Sequence, residues 1–257
     1  MSINRPYRRT CRQFVGGGYA EGGSGGYIDH PKFAQAPGHY IRAFLLLLKD
    51  LQELFDYIEP ADNNLSCYSY RIHALLLRAC VEVEANCKAI LKENGYAKAG
   101  DMNMSDYKKI NATHRLSSYQ VKVPYWNGIK DTRSPFLAWS TRSTLPWYEA
   151  YNTTKHDRHG EFAEATFEQL LDACCGVLVI LSAQFRTNDF SPGNGFLILN
   201  GPSDGMESGI GDYFRVKFPE DWPQELRYEF DWQKLKNESD PFHKTLTTQG
   251  FPDNGCF

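Results

Sequence analysis

The residues best suited to chemistry lie close together in the stretch WYEAYNTTKHDRH, positions 147–159. Projected on a helix, Asn152, His156 and His159 follow one stripe at i, i+4 and i+7, and Tyr151, Lys155 and Arg158 follow the neighbouring one. A histidine, an amide and two cations on a rigid support can take a proton from a hydroxyl and stabilise charge developing on a phosphate, with no metal. Histidine suits the proton transfer because its unperturbed pKa is about 6.5. His156 and His159 also make an H-x-x-H spacing, but no recognisable third ligand accompanies them, so neither a metal nor a cofactor is expected. The same residues have structural readings. Trp147, Tyr148 and Tyr151 are candidates for core aromatics, Asn152 and His156 for a bonded pair at a helix crossing, and Lys155 and Arg158 for surface charges or helix-dipole partners.

The elements that must position this stretch are mostly helical. Pro37-Gly38 opens a helix to about residue 58, with Phe44, Leu47, Leu48, Leu51, Leu54, Phe55 and Ile58 recurring at three- and four-residue spacing. A longer one spans about 66–93 and stops at Asn94-Gly95, with Arg78–Glu82 and Glu84–Lys88 as four-apart ion pairs. A shorter helix is expected over 106–118, capped by Ser105, followed by an irregular or partly extended connection over 119–145. Pro146 suits the first turn of the motif helix, with Ser143 or Thr144 as cap, and Gly160 ends it. A helix over about 165–186 is apolar on nearly all sides and should be central.

Outside the helices, residues 213–218 alternate like a strand and 227–230 are a candidate partner. The Gly-rich run 16–26 reads as a flexible loop. It lacks a following Lys-Ser/Thr and a strand-to-helix frame, so it is not a phosphate-cradling loop. The expected fold is mainly α, an up-and-down bundle of about five helices with a small β-containing C-terminal appendage. The divisions are a basic, Gly-rich arm (1–36), the bundle (37–187), and a linker with the appendage (188–257).

Composition sets outer bounds. The chain has 257 residues, 42% hydrophobic and 23% charged, which is enough apolar side chain for one good core and excludes a disordered polymer. Seven cysteines without a C-x-x-C pair fit buried thiols in a cytoplasmic protein, and neither a secretory signal nor a membrane span is expected. The net charge of −3 excludes a uniformly basic coat protein, but it is unevenly spread. Residues 1–15 carry four Arg and no acid, 105–160 carry nine Lys/Arg against four Asp/Glu, and 201–257 carry six against eleven. The basic middle segment has two readings, an anionic partner or a solvated face balanced by the acidic tail.

Tyr151-Asn152-x-x-Lys155-His156 resembles the signature of the HEPN superfamily (higher eukaryotes and prokaryotes nucleotide-binding domain), an Arg followed after four to six residues by His, often R-N-x-x-x-H. The run HALLLRACVEVEANCKAIL at 73–91 is similar to an early helix of such bundles, and the apolar helix after the motif to the one that closes them. The likeness covers about residues 40–187. It implies a helical bundle that forms a homodimer through the motif helices. Active members are metal-independent endoribonucleases of anti-phage defence, toxin–antitoxin and RNA-processing systems, whose His and Arg act at the RNA phosphate beside the 2′-hydroxyl. By position His156 is that His and Asn152 the polar residue after the Arg. The Arg position is Tyr151, neutral at pH 7, and Lys155 and Arg158 are the cations at hand to replace it. The resemblance thus implies catalytic roles for His156, Asn152, Tyr151 and Lys155 and RNA contacts from Arg158, His159 and Lys155. Two other readings stand beside it. One is a catalytically silent module binding RNA or a protein partner such as an antitoxin. The other is a regulator that binds a small molecule or nucleotide through the aromatic-rich 119–151 region.

Overall fold

The long periodic segments become helices that share one core. In the computed structural model, which describes residues 3–19, 24–141, 144–190 and 205–243, the first long helix is α1 (Pro37–Phe55). It buries Ile41, Phe44, Leu47, Leu48, Leu51 and Leu54. The next is α2 (Tyr70–Glu93), which starts at Ser69 rather than 66 because the Ser69 hydroxyl accepts the Ile72 amide at 3.2 Å. The expected 106–118 helix is two short pieces, α3 (Met104–Lys108) and α4 (Ile110–His114), followed by a 3₁₀ turn. Asn103 and Asp106 cap α3 reciprocally, while Arg115 in the left-handed region (φ 52°) ends α4. The motif helix is α5 (Pro146–His156), and α6 (Phe167–Phe185) is buried along nearly its whole length among α1, α2 and α5. By length and apolarity α6 could cross a membrane, yet 83% of its apolar window is covered by the rest of the protein, as for a core helix. A short α7 (Trp232–Leu235) follows in the tail.

The sheet joins parts of the chain expected to be separate. The strands β1 (Gln120–Lys122), β2 (Thr132–Arg133), β3 (Glu207–Ser208) and β4 (Arg215–Lys217) form an antiparallel sheet of order β2-β1-β4-β3, with Val121 opposite Val216. The partner of β4 is therefore not 227–230. That segment instead bonds the N-terminal residues: the Ile3 amide to the Arg227 carbonyl (3.0 Å) and the Tyr228 amide to the Gln13 carbonyl (3.1 Å). Tyr228 bridges Ile3 and Phe14 through its backbone, is fully buried, and donates its hydroxyl proton to the Thr10 carbonyl at 2.9 Å, so side-chain burial and isolated backbone bridges fix the segment together.

The N-terminal arm and the C-terminal appendage are likewise parts of the core. Cys11, Phe14, Phe214, Trp222, Tyr228 and Phe242 belong to the same apolar cluster as the helices. Arg9 is wholly buried. It binds Glu93 at 2.7 Å, Gln184 at 2.9 Å and the Gln35 carbonyl at 2.6 Å, and it stacks on Tyr40. Arg12 is also wholly buried, donates to the Thr113 carbonyl (3.0 Å) and lies over Tyr7 and Trp222. Arg5 and Arg8 pair with Glu238 and Asp240 of the tail. Of the Gly-rich run, residues 20–23 lie outside the described residues, as do 191–204 of the expected linker.

Two outcomes follow from this packing. Replacing Arg9 by Met strands Glu93 in a mostly covered position, and the urea midpoint should fall by the equivalent of about 3–5 kcal/mol. His114 is fully buried, with Nε2 donating to the Arg9 carbonyl (2.9 Å), and burial lowers its pKa to about 3. The unfolded chain then takes up a proton below about pH 6.5 that the native state refuses. Stability present above pH 6.5 should decline as pH falls from there toward 3, and urea titrations of His114→Gln should show a flatter decline over that window.

Candidate functional site on the motif helix

Helix α5 is placed by its apolar face. Trp147, Ala150, Tyr151 and Thr154 are buried against α6 and α2. The Trp147 indole N–H donates to the Pro135 carbonyl at 2.8 Å and its ring packs over Gly176. The N-cap is Leu145, with no side-chain bond. Ser143 lies outside the described residues, and Pro146 at the first helical position supplies the start.

The helix stops at His156, three residues short of the expected end. Asp157 leaves helical geometry (φ −130°, ψ 72°) and its carboxylate accepts the Gly160 amide at 2.9 Å, closing a tight turn. Arg158 and His159 therefore do not continue the two stripes. They sit exposed in the turn, off the helix that carries Asn152 and His156. His156 is exposed at the last helical position, and Asn152 is half-buried one turn earlier. Among the described residues no hydrogen bond joins the two, so they are not a bonded pair at a helix crossing.

Tyr151, which the resemblance sets where an Arg is expected, is 2% exposed. Burial raises its pKa above the ordinary tyrosine value, so it is neutral at pH 7. The Lys155 ammonium donates to its hydroxyl at 3.0 Å and lies 4.9 Å from its ring centroid, the reach expected of an i, i+4 pair. That bond raises the Lys155 pKa and keeps it charged. Tyr148 packs on Tyr151 (5.2 Å between centroids) and donates to Glu84 of α2 at 2.9 Å, while Lys88 approaches the same carboxylate at 3.7 Å. Burial, and then the bond to Glu84, raise the Tyr148 pKa. A half-buried polar chain thus runs from Glu84 through Tyr148 and Tyr151 to Lys155, beside the exposed His156.

His73 of α2 stands at the other side of the α5 end. It is buried against Phe162 (5.6 Å), near the Thr154 backbone, and has Nε2 without a partner. Burial foremost, with Arg158 nearby, lowers its pKa, so it is neutral at pH 7. Glu84 and His73 were not part of the expected site. They lie more than sixty residues before α5 in sequence, and only the α2–α5 packing brings them there. Comparisons with protein-family models, with curated proteins and with solved structures return no match.

Three cations of the basic middle segment are committed to ion pairs. Arg115 is paired with Asp221, Lys122 with Asp131, and Arg133, nearly buried, with both Asp172 (2.6 Å) and Glu168 (3.1 Å). Arg78 pairs with Asp50 of α1 rather than with Glu82. Among the described residues no group of three or more His, Cys, Asp or Glu is placed to hold a metal ion. What the site offers is local: one exposed imidazole, one anchored ammonium and an amide.

The polar chain can be tested by a double-mutant cycle. Glu84→Ala removes the acceptor of the Tyr148 hydroxyl and should cost about 1–2 kcal/mol in urea unfolding. Tyr148→Phe in that background should recover part of the loss, whereas independent effects would simply add.

Proposed function

We propose that this chain is a HEPN-like, RNA-associated protein in which His156 moves protons at an RNA phosphate and Lys155 supplies the cation that the superfamily draws from Arg. The observation that carries this reading is the Lys155 ammonium held 3.0 Å from the Tyr151 hydroxyl, on the helical turn that ends in the exposed His156. His156 takes the 2′-hydroxyl proton as that oxygen attacks phosphorus, and the 5′-oxygen leaves to give a 2′,3′-cyclic phosphate and a 5′-hydroxyl end. Lys155 meets the charge growing on the non-bridging oxygens, with Asn152 as a further donor. The outer stripe of α5 (Glu149, Asn152, Thr153, His156) is the natural seam for a homodimer, which would supply a second His156 to protonate the leaving oxygen. A bacterial defence or toxin–antitoxin setting in the cytoplasm fits such an activity.

The test is cleavage of end-labelled RNA oligonucleotides in EDTA. His156→Ala should lower the rate about a hundredfold or more, Lys155→Met about ten- to a hundredfold, and Lys155→Arg should keep most of it. Absence of cleavage by folded wild type sinks the catalytic reading. Burial of Tyr151 favours a second reading in that event, a silent interaction module, for which His156→Ala leaves RNA or partner binding unchanged.

A further inference from the structure

Of the eight large apolar side chains that are exposed among the described residues, five gather at one end of the bundle: Tyr57, Tyr68, Tyr70, Tyr125 and Ile129. Tyr57 is 81% exposed and shares a surface cleft with Leu54, Ile58, Ser69 and Arg71, which sets the end of α1 beside the start of α2. Tyr68 and Tyr70 flank Phe162, with ring centroids 5.8 Å and 4.7 Å away.

Tyr125 and Ile129 sit on the 124–130 loop, 89% and 91% exposed, and the loop is built to hold them out. Asp62 accepts the Trp126 indole N–H (2.6 Å) and the amides of Ile129 (3.0 Å) and Lys130 (3.1 Å). The Asn127 amide bonds the Pro60 carbonyl at 2.8 Å. Gly128, at φ 138°, passes so close to the Asp62 carboxylate that a side chain there would collide with it. These bonds and the stacking of Trp126 on Phe167 (6.5 Å between ring centroids) fix the loop, while Tyr125 and Ile129 stay outside the core.

The charges around the tyrosines choose the partner. Glu53, Asp56 and Glu59 are exposed at the end of α1, and Arg71 is neutralised by Asp50 and Glu53. Tyrosine faces and carboxylates both attract cations, and a guanidinium can stack on the one while bonding the other. Tyrosine-rich patches also hold much of the binding energy of protein interfaces. We infer that this end of the bundle is a docking surface for an arginine-rich segment of a partner protein, gripped between Tyr57, Tyr70 and Tyr125 and the acids of the α1 end. The inference is independent of what His156 does, since none of these residues belongs to the α5 site.

The test is fluorescence anisotropy of a labelled Arg-Gly dodecapeptide with the full chain at physiological salt. The wild type should bind it and leave a Glu-Gly dodecapeptide unbound. Tyr57→Leu with Tyr125→Leu keeps the net charge and should weaken binding about tenfold, whereas the paired Phe variants, which keep the aromatic faces, should stay within about threefold. Both positions are exposed, so circular dichroism should be unchanged. Glu53→Gln with Glu59→Gln should weaken binding and reduce its salt dependence. Absence of peptide binding, equal binding of the Glu-Gly peptide, or an unaltered affinity in the Leu variant overturns the proposal. So does an RNA dodecamer that binds wild type and is lost in the Leu variant.

Discussion

The buried guanidinium of Arg9 is the interaction on which the rest of the architecture depends. It ties the N-terminal segment to the end of α2 through Glu93, to α6 through Gln184 and to the approach of α1 through the Gln35 carbonyl. The backbone there is strained, since Arg9 adopts a left-handed conformation (φ 51°) that costs a non-glycine residue about 1 kcal/mol. That conformation persists because its own amide and carbonyl are also engaged, the first by the Phe33 carbonyl and the second by His114. A charge taken out of water is costly, and such complete partnership offsets that cost. Arg12 is the instructive contrast: no carboxylate meets it, its Nε lacks a partner, and carbonyls and aromatic faces do the work instead.

The charge distribution acquires a structural meaning from these pairs. The basic N-terminal segment and the acidic tail are complementary parts of one packing arrangement, with Arg5 and Arg8 reaching Glu238 and Asp240. Arg115, Lys122 and Arg133 of the basic middle segment enter separate ion pairs with Asp221, Asp131 and Asp172. Lys155 on α5 is held instead by a neutral partner, the Tyr151 hydroxyl.

The helices were legible because burial and spacing agree: the stripes of α1 and α2, the all-apolar α6 and Pro146 at the start of α5 each state their element locally. The end of α5 was not legible, because Arg158 and His159 continue a helical pattern that Asp157 and Gly160 break by a side-chain turn. Of the sheet, β4 was legible in the alternation of 213–218, but its partners were not. They are two or three residues long and β1 lies about ninety residues earlier, so no local alternation marks them. Of the site, the motif residues could be read directly, whereas Glu84 and His73 join it only through the antiparallel packing of α5 on α2.

The threading of residues 3–14 between α6 and the tail has a bearing on how the chain folds. The Ile3 and Pro6 carbonyls accept the Glu229 and His243 amides, and the Cys11 amide donates to Ala183. Residues 3–14 must therefore wait for residues 227–243 before these backbone partners exist. Contacts between such distant segments are slow to form, because a long loop must close before they are rewarded. Until then two arginines destined for burial remain hydrated, and the strained Arg9 backbone has no partners to hold it. The pairing of residues 3–14 with 227–243 is thus expected late in the completion of the core.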